Sequence, residues 1–159
     1  MKYFGTDGIR GTYGDFEVSE PFYETLGEVC ANVVREKLGG GLVVVGCDTR
    51  ASSDSLKAAL IKGLAKGGAR CEDMGVLPTP GLAYAVLKRK AVLGAMITAS
   101  HNPYTDNGIK FFDADARKVD DDFQLELERR VDALGCAFDA YSPANFPPRA
   151  ISAGDFAVK

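Results

Sequence analysis

Gly39-Gly40-Gly41-Leu42-Val43-Val44-Val45-Gly46 is the stretch on which the fold turns. Its four consecutive apolar residues, bounded by glycine on both sides and rich in β-branched side chains, suit a strand covered on both faces. Upstream, Ser19-Glu20-Pro21 offers a capping hydroxyl, an acid, and a proline in a first turn where no backbone donor is missed. Leu26, Val29, Cys30, Val33, Val34 and Leu38 follow at helical spacing, and the three glycines stop that helix. Downstream, beyond a loop at 48–53, Leu56, Ala59, Leu60 and Leu64 give a second helix its inward face as far as about Lys66. Gly67-Gly68 closes it.

The same alternation continues outward. A short strand is expected at 69–74, a rigid loop at Leu77-Pro78-Thr79-Pro80-Gly81, a helix at 82–90 and a strand at 92–98. Residues 109–112 read as a further strand. Residues 120–134 read as a charged amphipathic helix with Phe123, Leu127, Val131 and Leu134 on one stripe. Strands alternating with helices of this length predict a three-layer α/β/α domain around a mixed, mainly parallel sheet. It is expected to occupy residues 1–138. Over 139–159, Pro143, Pro147 and Pro148 interrupt any period, as in a linker or the start of a second domain that is missing here.

Composition narrows the function. At 159 residues, 46% hydrophobic and 26% charged, the chain can bury a core without a disulfide or metal staple. A net charge of -3 and the lack of a basic block argue against nucleic acid as a partner. Cys30, Cys47, Cys71 and Cys136 form no Cys-x-x-Cys pair and read as small hydrophobes in a reducing compartment. Neither a signal peptide nor an apolar run near the roughly 18 residues of a membrane span is visible, so a cytoplasmic protein with no membrane partner is expected.

Chemistry concentrates in four glycine-rich or proline-rich polar segments. They are Gly5-Thr6-Asp7-Gly8-Ile9-Arg10-Gly11, Gly46-Cys47-Asp48-Thr49-Arg50, Pro78-Thr79-Pro80-Gly81, and Thr98-Ala99-Ser100-His101-Asn102-Pro103 running on through Asp106-Asn107-Gly108-Ile109-Lys110. In an open α/β sheet ligands gather at the carboxyl ends of the strands, where such loops collect. The last segment delivers a serine into a loop beside a histidine and an asparagine. A phosphate carried on Ser100 would find donors in His101, Lys110 and Arg10. Equally, Ser, Asn and Pro are ordinary turn residues, and a lone histidine is commonly structural.

Order and spacing separate these readings. Phe4 to Gly11, Gly46 to Arg50, Pro78-Thr79-Pro80 and Thr98 to Phe112 occur as in the first domain of the α-D-phosphohexomutase family, which residues 2–135 resemble. Within it, Phe4-Gly5-Thr6-Asp7-Gly8-Ile9-Arg10-Gly11 and Asp106-Asn107-Gly108-Ile109-Lys110-Phe111-Phe112 are most similar to the bacterial phosphoglucosamine mutase branch. A phosphomannomutase or phosphoglucomutase first domain, or a freestanding binding or dimerisation module, are the alternatives.

The resemblance implies that Ser100 carries a phosphoryl group, gives it to a sugar monophosphate, and regains one from the bisphosphate after the sugar turns around. Glucosamine 6-phosphate and glucosamine 1-phosphate would be the interconverted pair. It also implies Mg2+ bound by the phosphate on Ser100 and by three aspartates of a separate loop, and a homodimer. By the same likeness His101 is a neighbouring acid/base or orienting group, and Lys110 and Arg10 are cations beside the transferring phosphate. Arg50 reads equally as a ligand contact or as a partner of Asp48 or Asp7. Asn102 and Asn107 are expected to shape the turn.

Two features depart from the family. Cys47 stands where a lysine is common. Asp113-Ala114-Asp115-Ala116-Arg117 is expected to be a solvated hairpin tip, not the aspartate-rich metal loop. That loop, the sugar loop and the phosphate loop lie on three further domains of the family. The resemblance therefore implies that this chain holds one part of a divided active site and is inactive alone.

Overall fold

The computed structural model describes residues 1–134 of the chain; the expected linker and the domain boundary at 138 lie outside them. Five strands form one sheet in the order β1-β5-β4-β2-β3. They are β1 Ile9–Thr12, β2 Leu42–Cys47, β3 Arg70–Val76, β4 Leu93–Ile97 and β5 Asp106–Asp113. The helices are α1 Glu20–Lys37, α2 Ser53–Lys66, α3 Thr79–Lys88 and α4 Asp121–Ala133, with a 3-10 turn at Phe16–Val18. β2 pairs in parallel with both β3 and β4. β5 runs antiparallel to its neighbours β4 and β1, so it alone is reversed. The sheet is mixed, as expected.

Layering follows from side-chain alternation along the strands. Val43, Val45 and Cys47 of β2, with Leu93, Ala95 and Ile97 of β4, face a core supplied by α1, α2 and α4. Val44 and Met96 face the other way, onto Leu82 and Val86 of α3. The central β2 run is buried at every position, which is why its sequence shows no polar alternation. α1 and α2 pack against each other through glycines. A Cβ on Gly27 would lie 2.2 Å from the Leu60 carbonyl oxygen, and one on Gly63 would lie 1.9 Å from that of Glu24. Ser19 caps α1 as expected, accepting from Phe22 N–H, and Asp120 caps α4 by accepting from Phe123 N–H.

Several boundaries move. α3 begins at Thr79, not after Gly81, because Pro80 sits in the first turn, where its missing N–H has no helical partner to lose. Lys90 ends that region in a left-handed conformation, φ 53°. Pro78-Thr79-Pro80-Gly81 is therefore largely helix, not loop. Gly46 and Cys47 complete β2, so the polar loop starts only at Asp48. β3 extends to Val76 and β5 back to Asp106. Ile9–Thr12, read as part of a glycine-rich segment, is an edge strand paired to β5 from Ile9 opposite Ile109 to Thr12 opposite Asp106. Asp113 to Arg117 is a tight turn as expected, with the Asp113 carboxylate accepting from Asp115 and Arg117 N–H. Among the described residues no helix is long and apolar enough to cross a membrane.

Candidate active site

β2 and β4 are adjacent parallel strands, so the loops that leave their carboxyl ends rise side by side. The loop after β2 holds Asp48 and Arg50; the loop after β4 holds Ser100, His101 and Asn102. Ser100 is exposed and has φ 56°, a left-handed backbone that a serine adopts only where its surroundings enforce it. Its N–H donates to Thr98 Oγ1 at 2.9 Å, and Asn102 N–H closes a turn onto the Ala99 carbonyl at 3.0 Å. His101 stands exposed beside it.

Arg50 organises this loop. Its Nε donates to Asp48 Oδ2 at 3.1 Å. One terminal nitrogen donates to the carbonyls of Pro103 (2.7 Å) and Asp106 (3.1 Å). The other donates to those of Ser100 (2.8 Å) and Asn102 (3.0 Å). Asp48 in turn accepts from Ser53 Oγ at 2.8 Å and from Arg50 N–H at 3.1 Å. Of the two readings, pairing with Asp48 is the one seen here: Arg50 pairs with Asp48 and turns its remaining donors to loop carbonyls.

Arg10 and Lys110 come from neighbouring strands. Along β5, Ile109 and Phe111 point into the α1/α2/α4 core, so Gly108 and Lys110 point to the opposite face. Arg10 lies opposite Gly108 while Ile9 is buried, which places Arg10 and Lys110 on one face, one diagonal step apart. Arg10 donates to Asp7 Oδ2 at 2.7 Å and reaches Asn102 Oδ1 of the serine loop at 3.5 Å. Its Nε is buried without a hydrogen-bond partner. Lys110 makes no ion pair among the described residues.

The segment that carries Asp7 and Arg10 is itself anchored. The Glu128 carboxylate of α4 accepts from the N–H groups of Lys2 (2.8 Å), Tyr3 (2.7 Å) and Phe4 (2.8 Å). Lys118 donates to the Thr6 carbonyl. Asn107 Nδ2 donates to Ser52 Oγ and Ser53 Oγ, and neither this pairing nor that of Glu128 was visible in sequence, because each joins distant positions. Cys47 is fully buried at the end of β2, and burial pushes its thiol up to about 11, so it is a neutral core side chain here. No group of three or more His, Cys, Asp or Glu among the described residues could hold a metal ion.

Comparison with known proteins matches this geometry to a family. Residues 1–135 match the phosphoglucomutase/phosphomannomutase alpha/beta/alpha domain I. Phosphoglucosamine mutase of Alcanivorax borkumensis is 47% identical over 131 residues, which cover 82% of this chain and 29% of that protein. That of Deinococcus deserti is 47% identical over 133 residues, covering 84% and 30%. Among solved structures, a phosphoglucomutase/phosphomannomutase family protein from Burkholderia thailandensis aligns with a TM-score of 0.75 at 27% identity, over 91% of this chain and 31% of that one. The chain spans about 30% of the length of these named relatives. The match takes in every described element from β1 to α4, and the chain belongs to the phosphoglucomutase/phosphomannomutase family.

Proposed function

We propose that this chain supplies the phosphoserine domain of a phosphoglucosamine mutase, the enzyme that interconverts glucosamine 6-phosphate and glucosamine 1-phosphate. The observation that carries the reading is the presentation of Ser100: exposed, held at φ 56°, and flanked by a face bearing Arg10 and Lys110. The relatives at 41–47% identity that carry the phosphoglucosamine mutase name favour that substrate over the other hexose phosphates.

Phosphoryl transfer asks the protein mainly for positioning and charge neutralisation. In the proposed step a sugar hydroxyl oxygen forms a bond to the phosphorus on Ser100 as the Oγ–P bond breaks. The hydroxyl proton leaves to a base, and the Ser100 oxygen takes up a proton. Arg10 and Lys110 bind the equatorial phosphate oxygens. His101, adjacent and exposed, holds or passes the proton. Magnesium, when bound, would take a phosphate oxygen on Ser100 as its ligand from this chain and would neutralise charge on the transferring group.

The test is a chimera in which residues 1–135 replace the corresponding stretch of the Alcanivorax borkumensis phosphoglucosamine mutase. Conversion of glucosamine 6-phosphate is expected with Ser100 present and lost by more than a thousandfold in S100A. Phosphate should be found on Ser100 by fragmentation mass spectrometry. A chimera that folds, turns over substrate and is indifferent to S100A defeats the reading.

A further inference from the structure

We propose that Arg50 is a positioning residue that fixes the Ser100 loop in its transfer-competent shape; this rests on the phosphoserine reading above. An arginine side chain has five N–H donors in a planar fork. Here all five are engaged, one on Asp48 and four on the carbonyls of Ser100, Asn102, Pro103 and Asp106. Nothing remains to hold a substrate phosphate, so Arg50 acts through the loop and not on the reacting atoms.

The geometry explains why the loop needs such a residue. Four carbonyl oxygens converging on one point repel one another, and although that of Pro103 also accepts from Asp106 N–H, it is the guanidinium between them, only 11% exposed, that offsets the repulsion. Bringing them together requires the chain to curl, and the left-handed Ser100 is part of that curl. The guanidinium is aimed from the other side by Asp48, whose second oxygen is taken by Ser53 Oγ and by the Arg50 N–H. A rigid frame backs it: Ser52 and Ser53, at the start of α2, also accept from Asn107 of β5, the strand into which the serine loop leads. The loop is therefore fastened at its centre by Arg50 and at its exit by Asn107. A lysine could offer charge at one point but cannot span four acceptors, so Arg50→Lys is not conservative here.

Two measurements test this. In the intact chain, amide hydrogen exchange across residues 99–106 is expected to rise at least tenfold in R50K and R50A, with β2 and β4 amides unchanged. Methylguanidinium added to R50A should reverse most of the rise. In the chimera, R50K should lower kcat at least 100-fold while KM for the sugar phosphate moves less than threefold, because the loop that presents the phosphoryl group is disturbed and the sugar contacts are not. Exchange within twofold of wild type in R50K overturns the proposal, as does raised exchange with wild-type kcat. If wild-type chimera is inactive and Ser100 never carries phosphate, the mutase reading falls, and exchange with its methylguanidinium rescue still decides whether Arg50 holds the loop. Should R50A not fold, R50K carries the exchange test alone.

Discussion

Asn107, in β5, donates its side-chain amide to Ser52 Oγ, at the start of α2, across 2.8 Å, and both residues are almost completely buried. The same nitrogen reaches Ser53 Oγ at 3.0 Å, while Asn107 Oδ1 accepts from Gly108 N–H at 2.9 Å. The β5 end of the serine loop is thereby tied to the helix that follows the Arg50 loop. Replacing Asn107 by alanine or leucine takes a donor from the buried Ser52 hydroxyl and an acceptor from Gly108 N–H, while Ser53 keeps its bond to Asp48. We expect a loss of about 2–4 kcal/mol. Urea unfolding of N107A and N107L checks it. Equal midpoints for wild type and both variants would show that the network is dispensable.

How much of this could be read from the chain depends on the range of the interaction. Caps, glycine stops and the apolar run Leu42 to Val45 are local, and they placed α1, β2, α2, β4 and α4 close to where they stand. β1 escaped because four residues beside a glycine-rich loop, half of them turned outward, carry no periodic signal; its identity comes from β5, nearly a hundred residues on. α3 was placed late because Pro78-Thr79-Pro80 reads as rigid loop until its fit to a first helical turn is considered. For the candidate site, motif order pointed to Ser100, Arg10 and Lys110, and the fold exposes Ser100 and sets Arg10 and Lys110 on one face of the sheet. The work of Arg50 was not, because its acceptors are backbone carbonyls, which any sequence supplies. Glu128 was hidden likewise among the acids of an amphipathic helix, although it holds three backbone N–H groups.

Acid sensitivity should have a contribution from α4. Glu126 accepts from Arg129 at 2.7 Å and from Arg130 at 2.6 Å, and these two guanidinium groups hold its carboxyl down at about 2, from 4.5. A depressed carboxyl stabilises the fold fully above its unfolded value, and that share is lost as pH falls from about 4.5 towards 2. The pairs lie on a helix surface, where solvent and salt screen them, so the share is roughly 0.5–1 kcal/mol. E126Q should be less stable than wild type by that amount at pH 7 and converge with it near pH 2. A constant gap between the two across that window would remove Glu126 from the account.

Glycine at 8 and 108 is what lets β1 lie close enough to β5 for Arg10 and Lys110 to share a face. A Cβ on Gly108 would fall 2.2 Å from the Ile9 carbonyl oxygen and 3.0 Å from Arg10 Cγ, and one on Gly8 2.2 Å from the Ile109 carbonyl oxygen. Both clashes are with paired backbone, which cannot yield as a flexible side chain would. Gly39 offers the control: its φ of +76° disfavours a side chain, yet nothing lies within 4 Å of its Cβ position. G39A should therefore cost only about 1 kcal/mol, the price of left-handed backbone alone. G108A should cost about 2–4 kcal/mol, because β1 must move away or the strands must bend. The displacement also carries Arg10 off its place beside Lys110, so at temperatures where G108A remains folded the chimera should lose at least tenfold in kcat while G39A stays near wild type. Measuring denaturant midpoints and kcat together separates the two effects. If G108A is destabilised yet keeps wild-type kcat, close apposition of β1 and β5 serves the fold alone and Arg10 is not held there for the chemistry.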